Sequence, residues 1–135
     1  MIQGTLDLDG ESIKVVNYHY LITQGTDHNG MVHSSPVAGK ITVSLEVTKA
    51  QDTMLNDWAL SRTATKKGEL HIMDSKGMQV RKKIGFDFGY CVRYEDSMET
   101  EGTSQNIVRI VISCGQVGFG DAAKHENNWP QVRQN

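Results

Sequence analysis

The sequence predicts a mainly β protein, a closed or nearly closed β-barrel of about eight strands with one short helix. Two observations carry this prediction. Residues 41–48 alternate strictly between apolar and polar side chains, and the run 78–94 alternates in the same way beyond a short helical pattern. Such alternation favours an antiparallel sheet over the doubly apolar parallel sheet of most nucleotide-binding enzymes.

The first element is a predicted β-hairpin. Strand-like residues 2–8 and 12–22 flank Asp9-Gly10, a dipeptide typical of two-residue hairpin turns. Along the second strand the apolar residues change parity between Val15 and Val16. This change predicts a β-bulge or a change of sheet at Val16.

The connection 23–40 is polar, rich in glycine and long for a compact domain, so we expect a functional or partner-ordered loop. Asp27, His28 and His33 lie within it. Two imidazoles and one carboxylate on one loop are a weak pattern for a divalent metal, and we predict no metal site there.

The helical pattern follows the strand at 41–48 and covers about three turns. Asp52-Thr53 is the expected cap at its beginning. The apolar stripe of this helix consists of Met54, Leu55, Trp58 and Ala59. A basic linker, 62–67, then leads into a strand at 68–74.

The long alternating run 78–94 holds one polar residue, Lys82, on its apolar parity. Because the run exceeds the usual strand length, we expect bends or a change of sheet at Gly85 and Gly89. An acidic loop follows at 95–104. The next strand, 107–114, is apolar on both parities except at two positions, which predicts a central strand.

Composition excludes several classes of protein. The chain has 135 residues, enough for one domain without disulfides or metals, and a net charge of −2 without long runs of one sign. A nucleic-acid groove and an anionic membrane surface are therefore not indicated. The chain shows no signal-peptide pattern and no long apolar segment, so we expect synthesis and folding in the cytosol. Cys91 and Cys114 lie in apolar strands without a CxxC spacing and are predicted to be buried thiols.

Motifs that carry chemistry are missing from the sequence. Nucleophile elbows, phosphate loops and dinucleotide fingerprints do not occur, and the carboxylate pairs lie in turns or loops where solvation is the default. We therefore predict no catalytic, cofactor-binding or metal-binding residues. The histidines are scattered without zinc-ligand spacing, at His19, His28, His33, His71 and His125.

Segments along nearly the whole chain nevertheless form a recognisable order. They are Asp9-Gly10, 26–30 (Thr-Asp-His-Asn-Gly), 41–47, 55–58 (Leu-Asn-Asp-Trp), 68–72, 86–94, 110–113 and 125–129 (His-Glu-Asn-Asn-Trp). Taken in this order they resemble the tube protein of type VI secretion systems, the TssD or Hcp family. The resemblance is strongest to the Bacteroidota branch of that family.

The resemblance implies a single domain, 1–135, folded as a two-sheet antiparallel β-barrel with one flanking helix. It implies homohexameric rings that stack into a hollow tube inside a contractile sheath, with a VgrG-type spike at the tip. Sheath contraction would expel the tube and deliver effectors, some carried in the lumen, to a neighbouring cell. The protein would assemble in the cytoplasm and then be secreted. The resemblance implies no enzyme activity, cofactor, nucleic-acid partner or membrane insertion.

The resemblance also implies roles for two segments. The loop 24–39 would reach the adjacent ring and stack on it through Thr26, Asp27, His28, Asn29, Gly30, Met31, Val32 and His33. From the residues themselves, Trp58 is expected to anchor the helix and Trp129 the C-terminal segment 118–135, with contacts in an oligomer as the alternative for both tryptophans. His125 is expected to be a further structural anchor of that segment. The sequence departs from the branch at Met31-Val32, where many relatives carry arginine and proline, and at Cys114, where a small residue is usual.

Two other functions remain open from the residues alone. A monomeric, small-ligand-binding β-barrel would need an apolar cavity, whereas Phe86, Phe88 and Tyr90 have the inward parity and are bulky enough to fill a small barrel. A hydrolase would need a serine beside His125 and Asp121, and no turn signature supports such a trio.

Overall fold

The computed structural model describes residues 3–22, 28–30, 39–73, 80–97, 107–120 and 124–126. Within these ranges the chain forms strands and one helix in the order β1 (Gln3–Leu8), β2 (Glu11–Tyr20), β3 (Lys40–Glu46), α1 (Lys49–Leu60), β4 (Lys66–Met73), β5 (Val80–Ser97), β6 (Ile107–Phe119) and β7 (Lys124–Glu126).

The strands form one antiparallel sheet in the order β3-β2-β1-β4-β5-β6-β7, and β3 also pairs with β6. This extra pairing closes the first six strands into a barrel, while β7 extends β6 outside it. The predicted mainly β barrel with one helix is confirmed. The expected division into two sheets is not seen, because hydrogen bonding is continuous through the described strands.

The predicted hairpin and its irregularity are both present. β1 and β2 join through Asp9 and Gly10, whose φ angles of 50° and 84° are the positive values that a tight hairpin turn requires. The register of β2 against β3 shifts between Val15 and Asn17. Val16 is therefore the extra residue of a β-bulge, as the change of parity predicted.

The barrel core comes from the inward faces of all six strands and from one face of α1. On β3 the predicted apolar face is buried as expected, and Ser44 on the opposite face is buried as well. The largest fully buried side chains are Trp58, Leu6, Leu8, Ile13, Ile41, Leu45, Leu55, Leu70, Ile84, Ile110, Ile112 and Val43.

The helix begins earlier than predicted, at Lys49, and Asp52-Thr53 is not its cap. Thr48 is the N-cap residue: its hydroxyl accepts a hydrogen bond from the backbone N–H of Gln51 at 3.2 Å. The Gln51 side-chain oxygen in turn accepts from the backbone N–H of Thr48 at 3.1 Å. This reciprocal capping box satisfies two backbone donors that the first helical turn leaves unpaired.

The predicted parity of β5 is wrong from Phe88 to Val92. A second irregularity between Cys91 and Arg93 restores it, and Tyr94 packs against the core as predicted. Phe88 has a φ of 53°, and the register against β4 shifts at this point, so that Gly89 and Cys91 face inward instead of Tyr90. Phe88 and Tyr90 are only half-buried. The expected bend thus lies between the two glycines of this strand and not at either of them.

Both cysteines are buried thiols, as predicted. Burial raises the pKa of Cys91 above its usual range and the pKa of Cys114 to about 12. Since the thiolate is the reactive form, these side chains are inert in the folded barrel.

We expect Thr48→Ala to lower the free energy of unfolding by about 1 kcal/mol, because it removes the N-cap acceptor of α1. Thr53→Ala is the matched control. The Thr53 hydroxyl is exposed and bonds only the Lys49 carbonyl one turn earlier, and alanine favours the helix. Urea unfolding followed by circular dichroism measures both variants, and equal losses would contradict the capping role.

Candidate assembly surfaces

The end of the barrel where β2 leads into the loop 24–39 carries the predicted stacking residues. The structure describes His28, Asn29 and Gly30, which form an exposed turn with Gly30 at a φ of 82°. Thr26, Asp27, Met31, Val32 and His33 lie outside the described residues. The turn is at the surface, and the contacts expected of this loop stay a prediction.

Exposed apolar side chains occur where β2 ends. Leu21 and Ile22 follow the strand directly and are 63% and 47% exposed. Val16, the bulged residue of the same strand, is also exposed and lines a notch of about 220 Å³ that includes Gly4 and Ile72. Apolar surface at the root of a polar loop is typical of a contact region.

An aromatic and cationic cluster lies at the same end of β2. The rings of Tyr18 and Tyr20 stack with centroids 6.3 Å apart, and both pack against the core. The ammonium of Lys82 lies 4.8 Å from the centroid of the Tyr20 ring. The pKa of Lys82 is raised, chiefly by its hydrogen bond with Tyr20. The one polar residue on the apolar parity of β5 is thus placed over an aromatic ring.

A second feature of the surface is a groove of about 290 Å³ across β4, β5 and β6. Gly85 and Gly118 are direct partners in the β5–β6 register and leave a bare backbone floor. We call this surface the glycine groove. Its rim consists of Lys67, Glu69, Lys83, Asp87 and Gln116.

The helix is held to the barrel by Trp58. Its indole is 1% exposed, and its Nε1–H donates a hydrogen bond of 3.1 Å to the backbone carbonyl of Gly89. The ammonium of Lys66 lies 5.9 Å from the centre of the ring. The indole thus contributes both apolar burial and a satisfied polar group.

Two polar contacts tie the first half of the helix to neighbouring strands. The Gln51 amide donates to the Ser12 carbonyl at 3.2 Å, and the Tyr94 hydroxyl donates to the Asp52 carboxylate. The pKa of Tyr94 is raised to about 12 by burial and by this hydrogen bond. Sequence reasoning missed Gln51, because a polar residue beside a cap does not show whether it faces the solvent or the barrel.

The titratable groups show no catalytic arrangement within the described part of the chain. His71 has its Nε2 atom 3.3 Å from Asp7 and 3.0 Å from Glu69, and Lys83 lies 3.7 Å from Glu69. These side chains form a row of polar contacts across the outer faces of β1, β4 and β5, in which Lys83 and Glu69 are an ion pair. Among these residues, His, Cys, Asp and Glu side chains form no group of three that could hold a metal ion.

The structure only partly describes the C-terminal segment. The backbone of His125 lies in β7 and pairs with Val117 of β6. Trp129 lies outside the described residues.

Gly85 was expected to mark a bend, and its place on the floor of a groove could not be derived from the sequence, because the register of β5 against β6 was unknown.

The fold defines this chain as a small closed antiparallel β-barrel with one helix, and exposed apolar side chains lie where β2 ends. A family model described as hemolysin coregulated protein Hcp (TssD) matches residues 1–130. The chain therefore belongs to the TssD family, and it is a structural component of the tube of type VI secretion systems. A search of curated proteins finds no match.

Solved structures agree with this assignment in fold. Hcp1 from Flavobacterium johnsoniae superposes with a TM-score of 0.83 at 22% identity, covering 93% of this chain and 99% of that one. Hcp1 from Salmonella typhimurium gives 0.70 at 14% identity, covering 92% and 91%. A chain of the sheath/tube terminator of an extracellular contractile injection system gives 0.54 at 12% identity, covering 86% and 91%.

We expect Trp58→Phe to lower the free energy of unfolding by about 2 kcal/mol, because the Gly89 carbonyl loses its buried donor. Leu60→Ala is the control on the same helix. Leu60 is 83% exposed, so its truncation should cost less than about 0.5 kcal/mol. Denaturant unfolding measures both variants. If Trp58→Phe behaves like Leu60→Ala, the indole does not anchor the helix.

Proposed function

We propose that this chain closes into homohexameric rings, which stack into the inner tube of the secretion apparatus. The match of the family model to residues 1–130 is the observation that carries this proposal. Ring or tube assembly is a property of the family. The proposal adds to this family property the number of six protomers in a ring and three kinds of partner, which are the contractile sheath, the VgrG-type spike and the effectors.

The proposed path runs from the cytoplasm to the outside of the cell. Rings assemble into a tube within the sheath, and sheath contraction expels the tube with effectors, some of them carried in the lumen. Within the described residues no helix is long and apolar enough to span a membrane. We propose a mechanical role without catalysis, since the family is a structural one.

The surface of the barrel supports assembly into a ring. Among the described strands, six are joined edge to edge, and edges without a strand partner remain at β7 and along the end of β2. An unpaired strand edge on a monomer can pair with other chains, and neighbours around a closed axis can cover it.

We further propose that the loop 24–39 is the element that stacks one ring on the next. Its described part, His28–Gly30, is exposed, and Leu21 and Ile22 at its root present apolar surface. An exposed loop that begins in an apolar region can bury that region against a second ring.

The first test is the mass of the purified chain in solution. One protomer has a mass of 15.0 kDa, so size-exclusion chromatography with light scattering should give about 90 kDa for a six-membered ring. Negative-stain images should then show rings with an open centre. A protomer that stays monomeric at high concentration would refute the proposal and revive the monomeric ligand-binding barrel.

A second test separates ring stacking from ring formation. We expect replacement of 26–33 by a short Gly-Ser linker to leave the ring mass unchanged. Release of the protein into the medium should fall at least about tenfold in cells that carry the complete apparatus, because rings that do not stack form no tube. The control replaces Arg62-Thr63, exposed residues between α1 and β4, and should be released normally. Normal release of the 26–33 variant would exclude the loop as the stacking element.

A further inference from the structure

A cleft of about 180 Å³ lies on the outer face of the barrel where β3, β5 and β6 are neighbours, and the assembly contacts proposed above do not involve it. Its lining residues are Thr42, Arg93, Glu95, Arg109 and Val111. We call this surface the arginine cleft. Strand pairing brings its members together, because Val111 lies opposite both Thr42 and Arg93, and Arg109 lies opposite Glu95.

The cleft carries one positive charge that its own carboxylate does not balance. Glu95 and Arg109 are direct cross-strand neighbours, a position in which opposite charges commonly interact. Glu95 instead forms an ion pair with Arg93, two residues earlier on its own strand. No carboxylate of a described residue lies within ion-pairing distance of Arg109, and this side chain is exposed. The guanidinium of Arg109 is therefore available to an anion from outside the chain.

A single carboxylate is the anion that suits this cleft. A guanidinium group binds a carboxylate through two parallel hydrogen bonds, and the hydroxyl of Thr42 is a further donor. Two guanidinium groups beside Glu95 leave one net positive charge, which one carboxylate neutralises. A phosphoryl group carries about two negative charges and would be repelled by Glu95. The net charge of −2 for the whole chain gives a nucleic acid no support either.

The backbone beneath the cleft is fixed by strand pairing. Here β6 is hydrogen-bonded on both sides, to β3 and to β5. The side chains between the two arginines are short, at Thr42 and Val111, and leave the space above them open. Groups carried on paired strands keep a defined geometry. A carboxylate side chain can therefore enter the cleft without a rearrangement of the barrel.

The composition of the cleft favours a partner that leaves again over a second copy of this chain. Permanent interfaces between identical chains have apolar centres, and none of the exposed large apolar side chains in the described part of the chain lines the cleft. Those side chains are Val16, Leu21, Ile22, Leu60 and Val92. Contacts between exposed charges are weak and are screened by salt, which suits a protein that is carried and then released.

We propose that the arginine cleft binds an acidic side chain of a cargo protein, whose carboxylate is held by the guanidinium groups of Arg109 and Arg93. The partner is a secreted protein with an aspartate or glutamate at its contact surface. This inference rests on the proposed role in a tube that carries effectors, and it assigns the place and the chemistry by which a cargo protein is held.

The first test is calorimetric titration of the full-length chain, at low ionic strength, with a short peptide of alternating glutamate and glycine. The same peptide with glutamine in place of glutamate is the blank. Arg109→Gln should weaken binding about tenfold, because a charge-assisted pair of hydrogen bonds is lost. Glu95→Gln should strengthen binding several-fold, because it removes the carboxylate that competes for Arg93.

Lys14→Gln is the matched control for this titration. It also removes one exposed positive charge, but the Lys14 ammonium is already paired with Glu46 at 3.2 Å. The affinity for the glutamate peptide should therefore stay at the parent value. Arg109→Lys covers the case in which Arg109→Gln does not fold. It keeps the charge and loses the planar fork, so binding should still weaken.

A second test follows cargo in cells that carry the complete apparatus, by mass spectrometry of the medium. Arg109→Gln should leave the release of the tube protein unchanged, whereas at least one protein that is released only with the tube should fall about tenfold. Lys14→Gln should release the tube and its cargo as the parent does. Release of every cargo protein at the parent level by Arg109→Gln cells would overturn the proposal.

Three results of the binding measurements would also overturn it. Equal affinities of the parent and Arg109→Gln for the glutamate peptide would mean that the cleft binds no carboxylate. A phosphoserine peptide that binds much more tightly than the glutamate peptide would assign the cleft to a phosphorylated ligand. A lower assembly mass of Arg109→Gln would mean that a second copy occupies the cleft.

The failure of this proposal and the failure of the proposed ring give different results. A parent chain that is monomeric and binds the glutamate peptide through Arg109 would refute the ring and leave the cleft as a carboxylate site. A parent chain that forms rings but binds the glutamate and glutamine peptides equally would refute the cleft alone.

Discussion

The pairing of β3 with β6 is the constraint on which the rest of the structure depends. It runs without a break from Lys40 opposite Ser113 to Glu46 opposite Ile107, and it turns an open sheet into a barrel with one shared core. β6 continues past this pairing, where the backbone N–H of Cys114 donates to the Gly39 carbonyl at 2.7 Å. The part of β6 beyond this pairing stays paired with β5, also pairs with β7, and forms one side of the glycine groove. Closure of the barrel by the β3–β6 pairing thus encloses the apolar core and leaves the outer faces of the strands available for contacts with other molecules.

The irregular part of β5 and the attachment of the helix are one structural feature. The pairing of β4 with β5 ends at Lys66 opposite Gly89, directly after the positive φ of Phe88. Beyond this point β5 has lost its neighbour, and α1 packs there through Trp58 and through the contact of Asp52 with Tyr94. The Gly89 carbonyl accepts the indole N–H. The change of parity at Phe88 therefore has two effects. It turns Gly89 inward, where its carbonyl accepts the indole N–H, and it leaves the edge of β5 beyond Gly89 without a strand partner, so that α1 can cover it.

Membership of the family could be predicted from the sequence. Each short segment that resembles the family is common by itself, but the order of all of them along the chain is specific to the family. The surfaces that act in assembly could be predicted only in part. A long polar loop after β2 was visible as a pattern, and the exposed His28–Gly30 turn is consistent with it. The glycine groove was not visible. It exists only because the register places Gly85 opposite Gly118, and positions more than thirty residues apart are brought together by strand pairing alone.

Local patterns in the sequence are sufficient to predict three features, which are the turn at Asp9-Gly10, the irregularity at Val16 and the inward face of β3. Each of these depends on φ preferences or on period-two alternation, which act between neighbouring residues. The first residue of α1 and the inward-facing residues of β5 depend instead on tertiary packing. Thr48 can end a strand or cap a helix, and Phe88 at positive φ reverses the parity of β5 as far as the second irregularity, between Cys91 and Arg93. Both choices depend on partners distant in the chain, such as Ser12 for Gln51 and Trp58 for Gly89, which no local pattern contains.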